Sequence, residues 1–190
     1  MSHLSPAAGR TLGADLRALR KARGVTLAAL AQRLGRSVGW LSQVERDLSQ
    51  PPVSDLRGIA GALDVPLSLL CAHSDAPDAE VGHIVRRNAR RPIGARTPGL
   101  TEELVSPDLT DAFEVVHSTF APGARAAAPQ VRPTQEVGFL LSGRLDLTIA
   151  TRRFTVGAGD SFRIRGEPFE WHNPYAIPAA AIWVIAPPVY

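Results

Sequence analysis

The stretch TLAALAQRLGRSVGWLSQVER, residues 26–46, decides the fold of the first half of this chain. Apolar residues recur at helical spacing on both sides of Gly35, which predicts one helix over 27–34 and a second from 38 to about 46. Thr26 and Ser37 stand where the N-caps of these helices are expected. Two short helices around one tight turn form a helix-turn-helix, whose second helix can enter the major groove of DNA.

Three further helices are predicted around this segment, all in the first half of the chain. A leucine stripe places one helix at about residues 11–22, Ser54 is expected to cap another, and Pro66 marks the start of a fifth that ends near residue 72. The polar, acidic segment 73–82 contains a proline, which is typical of a linker.

The second half of the chain consists of short alternating runs, such as residues 113–120, 144–149 and 162–165, separated by turns rich in glycine and proline. Regular short strands of this kind predict an all-β sandwich or barrel. We therefore expect an α+β chain of two domains, with an N-terminal five-helix bundle over 1–72 and an all-β domain over 83–190.

Charge is divided unevenly between these halves. Residues 1–73 carry nine Arg or Lys against five Asp or Glu, a formal +4, whereas residues 74–190 carry twelve against thirteen, a formal −1. The positive excess lies with the helix-turn-helix, as a phosphate-binding surface requires. Arg17, Lys21 and Arg23 are interpreted as ordinary solvated charges.

The cellular compartment is predicted from the single cysteine and from the absence of membrane-spanning and signal segments. One cysteine, Cys71, excludes an internal disulfide framework and fits a reducing compartment. There is no apolar run long enough to span a bilayer, and the start MSHLSPAAGR has no signal-peptide core. A cytoplasmic protein without a membrane partner is expected.

The segment LRALRKARGVTLAALAQRLGRSVGWLSQVER, followed by a proline-bearing loop and SDLRGIAGALDV, resembles the XRE (phage-repressor-like) helix-turn-helix family over about residues 10–72. The resemblance implies a DNA-binding transcriptional regulator. It implies that Val38, Gly39 and Gln43 face base edges, with Gln43 on adenine and Val38 against a thymine methyl. It also implies phosphate contacts from Thr26, Arg36, Ser37, Trp40 and Arg46.

Two further expectations come with this resemblance. Arg20 and Glu45 match a family ion pair that ties the first helix to the third, so Arg20 is assigned to structure. A homodimer is expected because one helix reads only a few base pairs, whereas two related by a dyad read a palindromic operator of double-stranded DNA.

The second half resembles the cupin family over about residues 81–190, specifically the small cupin that follows a helix-turn-helix in many bacterial regulators. Gly123, Glu136 and Gly143 stand at the spacing of the first cupin motif, with EVGFLLSGRL as its strand and turn, and Gly166 and Asn173 match the second motif. The resemblance implies a double-stranded β-helix barrel that dimerises and senses a small molecule.

The histidine positions of both cupin motifs are occupied by other residues. If four residues separate the second histidine position from Glu136, the two histidine positions of the first motif fall on Pro129 and Val131. If three residues do, they fall on Gln130 and Arg132. The histidine position of the second motif falls on Phe169. A transition metal needs several imidazole or carboxylate ligands, and only the carboxylate position, Glu136, remains. No metal, no other cofactor and no catalytic residue are expected.

A barrel without metal ligands can still bind one small effector. Arg163 and Arg165 share one face of a strand; if that face is interior, the effector is an anion such as a carboxylate or phosphate. The alternative, equally open, is that both arginines lie on solvent. The candidate effector-binding residues are Gln130, Arg132, Glu136, Arg163, Arg165, Phe169 and Trp171.

Two other functions are compatible with this domain order. One is a cupin metalloenzyme of the hydroxypropylphosphonate epoxidase type, which requires an iron triad. The other is a repressor whose cupin only dimerises. In the sensor hypothesis, effector binding changes the spacing or rigidity of the two recognition helices and so changes DNA affinity.

Overall fold

The structure is a computed structural model that describes residues 11–71, 78–80, 82–94, 97–109 and 111–189. The chain divides into two compact units: Met1–Arg91 with Pro107–Thr110, and Pro92–Ser106 with Asp111–Tyr190. Most of the predicted linker 73–82 lies outside the described residues, as does the amino-terminal stretch 1–10 on which the signal-peptide prediction rests. None of the helices in the described ranges combines the length and apolar character needed to cross a membrane.

The first unit is helical and carries the predicted helix-turn-helix. Its five α-helices in the described residues are α1 (Leu12–Ala22), α2 (Leu27–Leu34), α3 (Val38–Val44), α4 (Val53–Leu63) and α5 (Leu67–Cys71). The Thr26 hydroxyl accepts the Ala29 amide and caps α2, and the Ser37 hydroxyl accepts the Trp40 amide and caps α3. Gly35 adopts φ 62° at the turn, a conformation that favours glycine.

The structure corrects the prediction that Ser54 caps α4. This helix begins at Val53, and its N-cap position is Pro52, which makes no side-chain capping hydrogen bond. Proline holds φ near the helical value and removes one amide that would need a partner, so the helix starts without a capping hydroxyl. Asp55 in the first turn supplies the negative charge that favours a helix N-terminus.

The interpretation of Arg23 as a solvated charge is also wrong. The Arg23 Nε donates to the carbonyl oxygen of Leu63 at 3.2 Å, and Arg33 Nη1 donates to that of Ala62 at 3.3 Å. Both carbonyls lie at the last turn of α4, where no following helical amide can reach them. Cationic side chains at this end also favour the helix dipole.

A buried ion pair lies in the first unit between residues far apart in sequence. Arg91 Nη2 lies 2.5 Å from Asp15 Oδ2, and Arg91 Nη1 donates to the carbonyl oxygen of Leu69 at 2.9 Å. Both charged side chains are less than a tenth exposed. Arg91 thus contacts both α1 and α5, which the sequence did not predict.

The second unit is built from antiparallel strands, the first of which begins at Arg91, the residue that still groups with the first unit. The strands are β1 (Arg91–Pro92), β2 (Leu100–Leu104), β3 (Glu114–Phe120), β4 (Gln135–Ser142), β5 (Arg144–Ile149), β6 (Arg152–Gly157), β7 (Ser161–Arg165), β8 (Phe169–His172) and β9 (Ala179–Ala186). They form a six-stranded sheet of order β1-β2-β3-β9-β4-β7 and a three-stranded sheet of order β6-β5-β8. The predicted strands at 113–120, 144–149 and 162–165 correspond to β3, β5 and β7.

Alternation along these strands defines an inner and an outer face. In β3 every second residue from Glu114 to Phe120 is buried, and in β8 Phe169 and Trp171 are buried. Gly143 makes the turn from β4 to β5 with φ 77°, and a Cβ there would lie 2.6 Å from the Pro178 carbonyl oxygen. This close approach explains why the motif position is a glycine.

Candidate nucleic-acid interface and cupin interior

The second helix of the helix-turn-helix exposes one side and buries the other. Leu41 and Val44 are fully buried, whereas Val38 is 47% exposed and Gly39 and Gln43 are also exposed. The structure therefore brings the three predicted base-facing residues onto one accessible surface. Their contact with bases stays a prediction.

The predicted phosphate-binding residues lie within the helix-turn-helix, at the start of α2, in the turn before α3, in α3 and just after it. The Thr26 and Ser37 hydroxyl oxygens accept backbone amides, which leaves each hydroxyl proton able to donate to a phosphate. Arg46 is exposed, and its Nε donates to the Ser42 carbonyl oxygen at 3.1 Å. Arg36 lies 5.3 Å above the half-buried Trp40 ring.

Arg36 has a protein partner that the sequence analysis did not predict. Its Nη2 donates to both carboxylate oxygens of Asp55 at 2.9 Å. The Arg36 side chain remains 47% exposed, so it can still reach a phosphate, but Asp55 compensates its charge. The formal +4 of residues 1–73 already counts Asp55, so this pairing lowers only the local positive charge at Arg36.

The ion pair predicted from the family resemblance is confirmed. Arg20 Nε and Nη2 donate to the two carboxylate oxygens of Glu45 at 2.6 and 2.8 Å, and Arg20 Nη1 donates to the Val25 carbonyl oxygen at 2.9 Å. The hydrogen bond to Glu45 raises the pKa of Arg20 above its ordinary value. This bidentate geometry fixes the end of α3 against α1.

Asp47 is a second anchor that sequence reasoning missed. It follows α3 with φ 57°, and its carboxylate accepts the Gly13 amide at 2.9 Å and the Thr11 hydroxyl at 2.5 Å. A Cβ on Gly13 would lie 2.4 Å from the Val44 carbonyl oxygen, so only glycine permits this approach. The sequence feature that could have indicated this role is an aspartate in a turn, because aspartate is a residue type that caps helices.

Five of the seven candidate effector residues meet in the interior of the second unit. Gln130, Arg132, Glu136, Phe169 and Trp171 line a cavity of about 40 Å³, together with Trp183. Glu136 is 1% exposed and accepts the Thr134 hydroxyl at 2.7 Å, and Arg132 Nη1 lies 4.0 Å from the same carboxylate. Among the described residues, Glu136 Oε2 and Trp183 Nε1 are buried without a hydrogen-bond partner.

The other two candidates, Arg163 and Arg165, do not line this interior. Both are exposed, whereas Phe162 and Ile164 face inward and Phe162 lies across Gly138. A Cβ on Gly138 would lie 2.2 Å from the Phe162 ring. The inward position of this ring determines the orientation of β7. Arg163 and Arg165 therefore face solvent and not the interior, which were the two alternatives left open by the sequence.

Two further carboxylates, neither of them predicted, accompany Glu136 in this unit, one buried and one half-buried. Glu114 is 2% exposed, and its Oε1 accepts the Val189 amide at 3.0 Å. Glu102 Oε1 accepts the Ser118 hydroxyl at 3.1 Å. Burial raises the pKa of the Glu114 carboxyl above its ordinary value.

Comparisons with known proteins agree with both units. Residues 11–81 match the family model described as a helix-turn-helix domain, and residues 116–185 match that of a cupin domain. Transcriptional regulator ClgR of Mycobacterium tuberculosis (strain CDC 1551 / Oshkosh) is 30% identical over 97 residues, which cover 50% of this chain and 87% of that protein. The chain belongs to the XRE-like helix-turn-helix transcriptional regulators, with a cupin domain.

Other similar proteins match this chain along most of their length. The regulator is 25% identical over 172 residues to the HTH-type transcriptional regulator PuuR of Escherichia coli (strain K12), covering 88% of this chain and 90% of PuuR. A solved structure of an HTH_3 family transcriptional regulator from Vibrio cholerae covers 93% of this chain and 95% of its own, with 21% identity and a TM-score of 0.44.

The residues of the regulator's cupin domain do not fit a transition metal. Within the described ranges, no three His, Cys, Asp or Glu side chains are grouped so that they could hold a metal ion. The histidine position of the second motif, Phe169, is buried and offers no lone pair, and the nearby His172 is exposed on the opposite face. Asn173 is structural, because its Nδ2 donates to the Phe120 and Ile177 carbonyl oxygens.

Replacing Glu114 with glutamine should stabilise the regulator increasingly as pH rises. Because the folded-state pKa of Glu114 is raised, the wild type loses stability as pH rises above the unfolded value through the folded one. Glutamine has no such penalty, so the difference in melting temperature, variant minus wild type, should grow as pH rises above about 4 and level off once the folded-state carboxyl is ionised. Glu170→Gln, on the outer side of β8, is the matched control. A difference that is constant with pH would contradict the assignment.

Proposed function

We propose that this regulator binds a palindromic operator as a homodimer, with the exposed side of α3 in the major groove of each half-site. The observation that supports this most is the accessible Val38–Gly39–Gln43 surface on a helix anchored by the buried Arg20–Glu45 pair. Two such helices related by a dyad read half-sites about 34 Å apart, or a multiple of that distance.

Gln43→Ala should cost about 1–3 kcal/mol in operator binding and relax the preference at one base position. Arg46→Ala should instead weaken binding to all duplexes alike, because a phosphate contact carries no sequence information. Binding is measured by fluorescence anisotropy on a selected operator and its single-base variants. Gln135→Ala, an exposed glutamine of β4, is the control. If neither Gln43→Ala nor Arg46→Ala changes binding, the reading surface is assigned wrongly.

We further propose that the two sheets close as a double-stranded β-helix barrel whose interior binds a small polar effector. The buried donor Trp183 Nε1 and acceptor Glu136 Oε2, both without partners among the described residues, support a molecule that accepts one hydrogen bond and donates another. Gln130, Arg132, Phe169 and Trp171 would complete the site. Of the described residues that line this cavity, Arg132 is the one cation that an anionic group would meet, since Arg163 and Arg165 lie outside.

One observation, the small volume of the interior, supports a second candidate function, which is a cupin that only dimerises. A cavity of about 40 Å³ holds about one or two water molecules, so an effector would need side chains to move. Melting temperatures measured with a panel of small polar metabolites distinguish the two functions. A metabolite that raises the melting temperature of wild type but not of Arg132→Ala supports an interior sensor. No shift with any metabolite supports dimerisation alone.

The same experiment separates the interior from a second cavity. An open groove of about 1010 Å³ on this unit is lined by charges of both signs, including Arg125, Arg153, Asp146 and Glu170. Asp146 already accepts the Thr155 and Tyr175 hydroxyls. A shift that Arg153→Ala abolishes and Arg132→Ala does not would place the ligand in the groove instead.

We also propose a cytoplasmic regulator without enzymatic activity or cofactor, with domains at 1–72 and 83–190 joined by a linker at 73–82. The DNA-binding assignment supports the location, and the donor set around Glu136 supports the absence of a metal. In the structure, residues 83–91 group with the helical unit. Metal analysis of the purified protein tests the enzyme alternative, since stoichiometric iron would favour the epoxidase-type function.

A further inference from the structure

The outer side of the three-stranded sheet lines the open groove of about 1010 Å³, which we call the outer groove. Buried residues of β5 alternate with half-buried ones, which therefore lie on the side of the sheet away from the interior. These half-buried residues and their partners in register on β6 and β8 line the outer groove: Asp146, Thr148, Arg153, Thr155, Glu170 and His172. A cavity of this size accommodates a small molecule without any movement of side chains, unlike the interior cavity.

The outer groove contains side chains of both charges that the fold itself does not pair. Arg125, Arg153, Glu170 and His172 all line it, and their side chains make no hydrogen bond or ion pair within the part of the chain that the structure describes. These groups are therefore available to a ligand.

The strand registers set the distance between two of these charges. Thr148 of β5 lies opposite Arg153 of β6 on one side and opposite Glu170 of β8 on the other. Arg153 and Glu170 are thus two strand spacings apart, about 10 Å between their backbones. A small molecule that carries both charges would fill this gap, with its anionic group on the guanidinium and its cationic group on the carboxylate.

Asp146 is a third polar group of the outer groove, and the fold holds it in one orientation. Its Oδ1 accepts the Thr155 hydroxyl at 2.8 Å and the Tyr175 hydroxyl at 2.9 Å. Its Oδ2 accepts no hydrogen bond from the described residues. A carboxylate fixed through one oxygen, with the other oxygen unused, is a preorganised acceptor for a donor group of a ligand.

We propose that the outer groove is a second binding site, separate from the interior, for a free α-amino acid with an apolar side chain. The groove is lined by two arginines and two carboxylates, so its formal charge is balanced and it favours a zwitterion over a purely anionic or cationic ligand. Arg153 binds the carboxylate, and Glu170 and Asp146 accept the ammonium protons. The remaining lining suits an apolar side chain, since it includes Phe154, which is 46% exposed, and the run Ala126–Pro129.

The test measures dissociation constants by isothermal titration calorimetry on the full-length protein. The probes are L-alanine, L-valine, L-leucine and L-phenylalanine, each with its N-acetyl derivative, which lacks the ammonium group, and its amide, which lacks the carboxylate. At least one amino acid should bind, and both of its derivatives should bind about 10-fold more weakly or worse, because each loses one charge-assisted contact.

Two substitutions locate the site. Arg153→Ala and Glu170→Gln should each raise the dissociation constant of the amino acid by about 10-fold or more. Arg163→Ala is the matched control, because it removes an exposed arginine from β7 of the other sheet and should leave the dissociation constant unchanged. None of these three side chains is buried, so the variants are expected to fold.

Three results would overturn the proposal. An N-acetyl derivative or an amide that binds as tightly as its parent amino acid would show that the groove does not recognise a zwitterion. Failure of all four amino acids to bind at millimolar concentrations would eliminate the site. Binding that Arg132→Ala abolishes and Arg153→Ala leaves intact would place the amino acid in the interior, which overturns the groove and supports the interior sensor.

Discussion

Arg20→Ala should lower the free energy of unfolding of the helical unit by about 3–5 kcal/mol, because it leaves the buried Glu45 carboxylate without its bidentate partner. Both side chains are 10% exposed or less, so water cannot replace the lost hydrogen bonds. The Val25 carbonyl oxygen loses its donor as well. Loss of helical circular dichroism in urea measures the change.

Two comparisons separate the ion pair from other effects of the substitution. Arg17→Ala removes an exposed arginine from the same helix and should change stability by less than about 0.5 kcal/mol. Replacing both partners, as Arg20→Met with Glu45→Leu, should recover much of the loss, because no buried charge is left without a partner. A loss below about 1 kcal/mol for Arg20→Ala would show that the pair does not anchor α3.

Operator affinity should fall by about three to five decades between ~50 and ~200 mM salt if the homodimer makes about 6–10 phosphate contacts. Each contact releases condensed counterions, so the logarithm of the binding constant should fall linearly with that of the salt concentration. Anisotropy titrations at several salt concentrations give the slope.

The slope also tests the phosphate assignment residue by residue. Arg46→Ala removes one contact from each copy and should make the slope shallower by about two. Arg153→Ala, which removes an arginine of β6 in the cupin domain, should leave the slope unchanged. Binding that varies little with salt would contradict a phosphate-anchored interface, whatever the effect of Gln43→Ala.

Local sequence was sufficient for the features that depend on neighbours along the chain. Helical spacing and the capping hydroxyls of Thr26 and Ser37 placed α2 and α3, and alternation with glycine turns placed β3, β5 and β7. The family resemblance added the Arg20–Glu45 pair, which no spacing rule supplies. Ser54 failed as a cap because Pro52 and Asp55 meet the same need by other means.

The tertiary structure decided the features that depend on distant partners. Period-two alternation groups Arg163 with Arg165, but it cannot say which face is interior, and the Phe162 ring over Gly138 determines that. Asp47, Arg23 and Arg91 find their partners across gaps in sequence that no local pattern spans. The size of the interior cavity likewise follows from how two sheets pack. Dihedral preferences and periodicity act over a few residues, whereas packing and ion pairing depend on which elements the fold brings together.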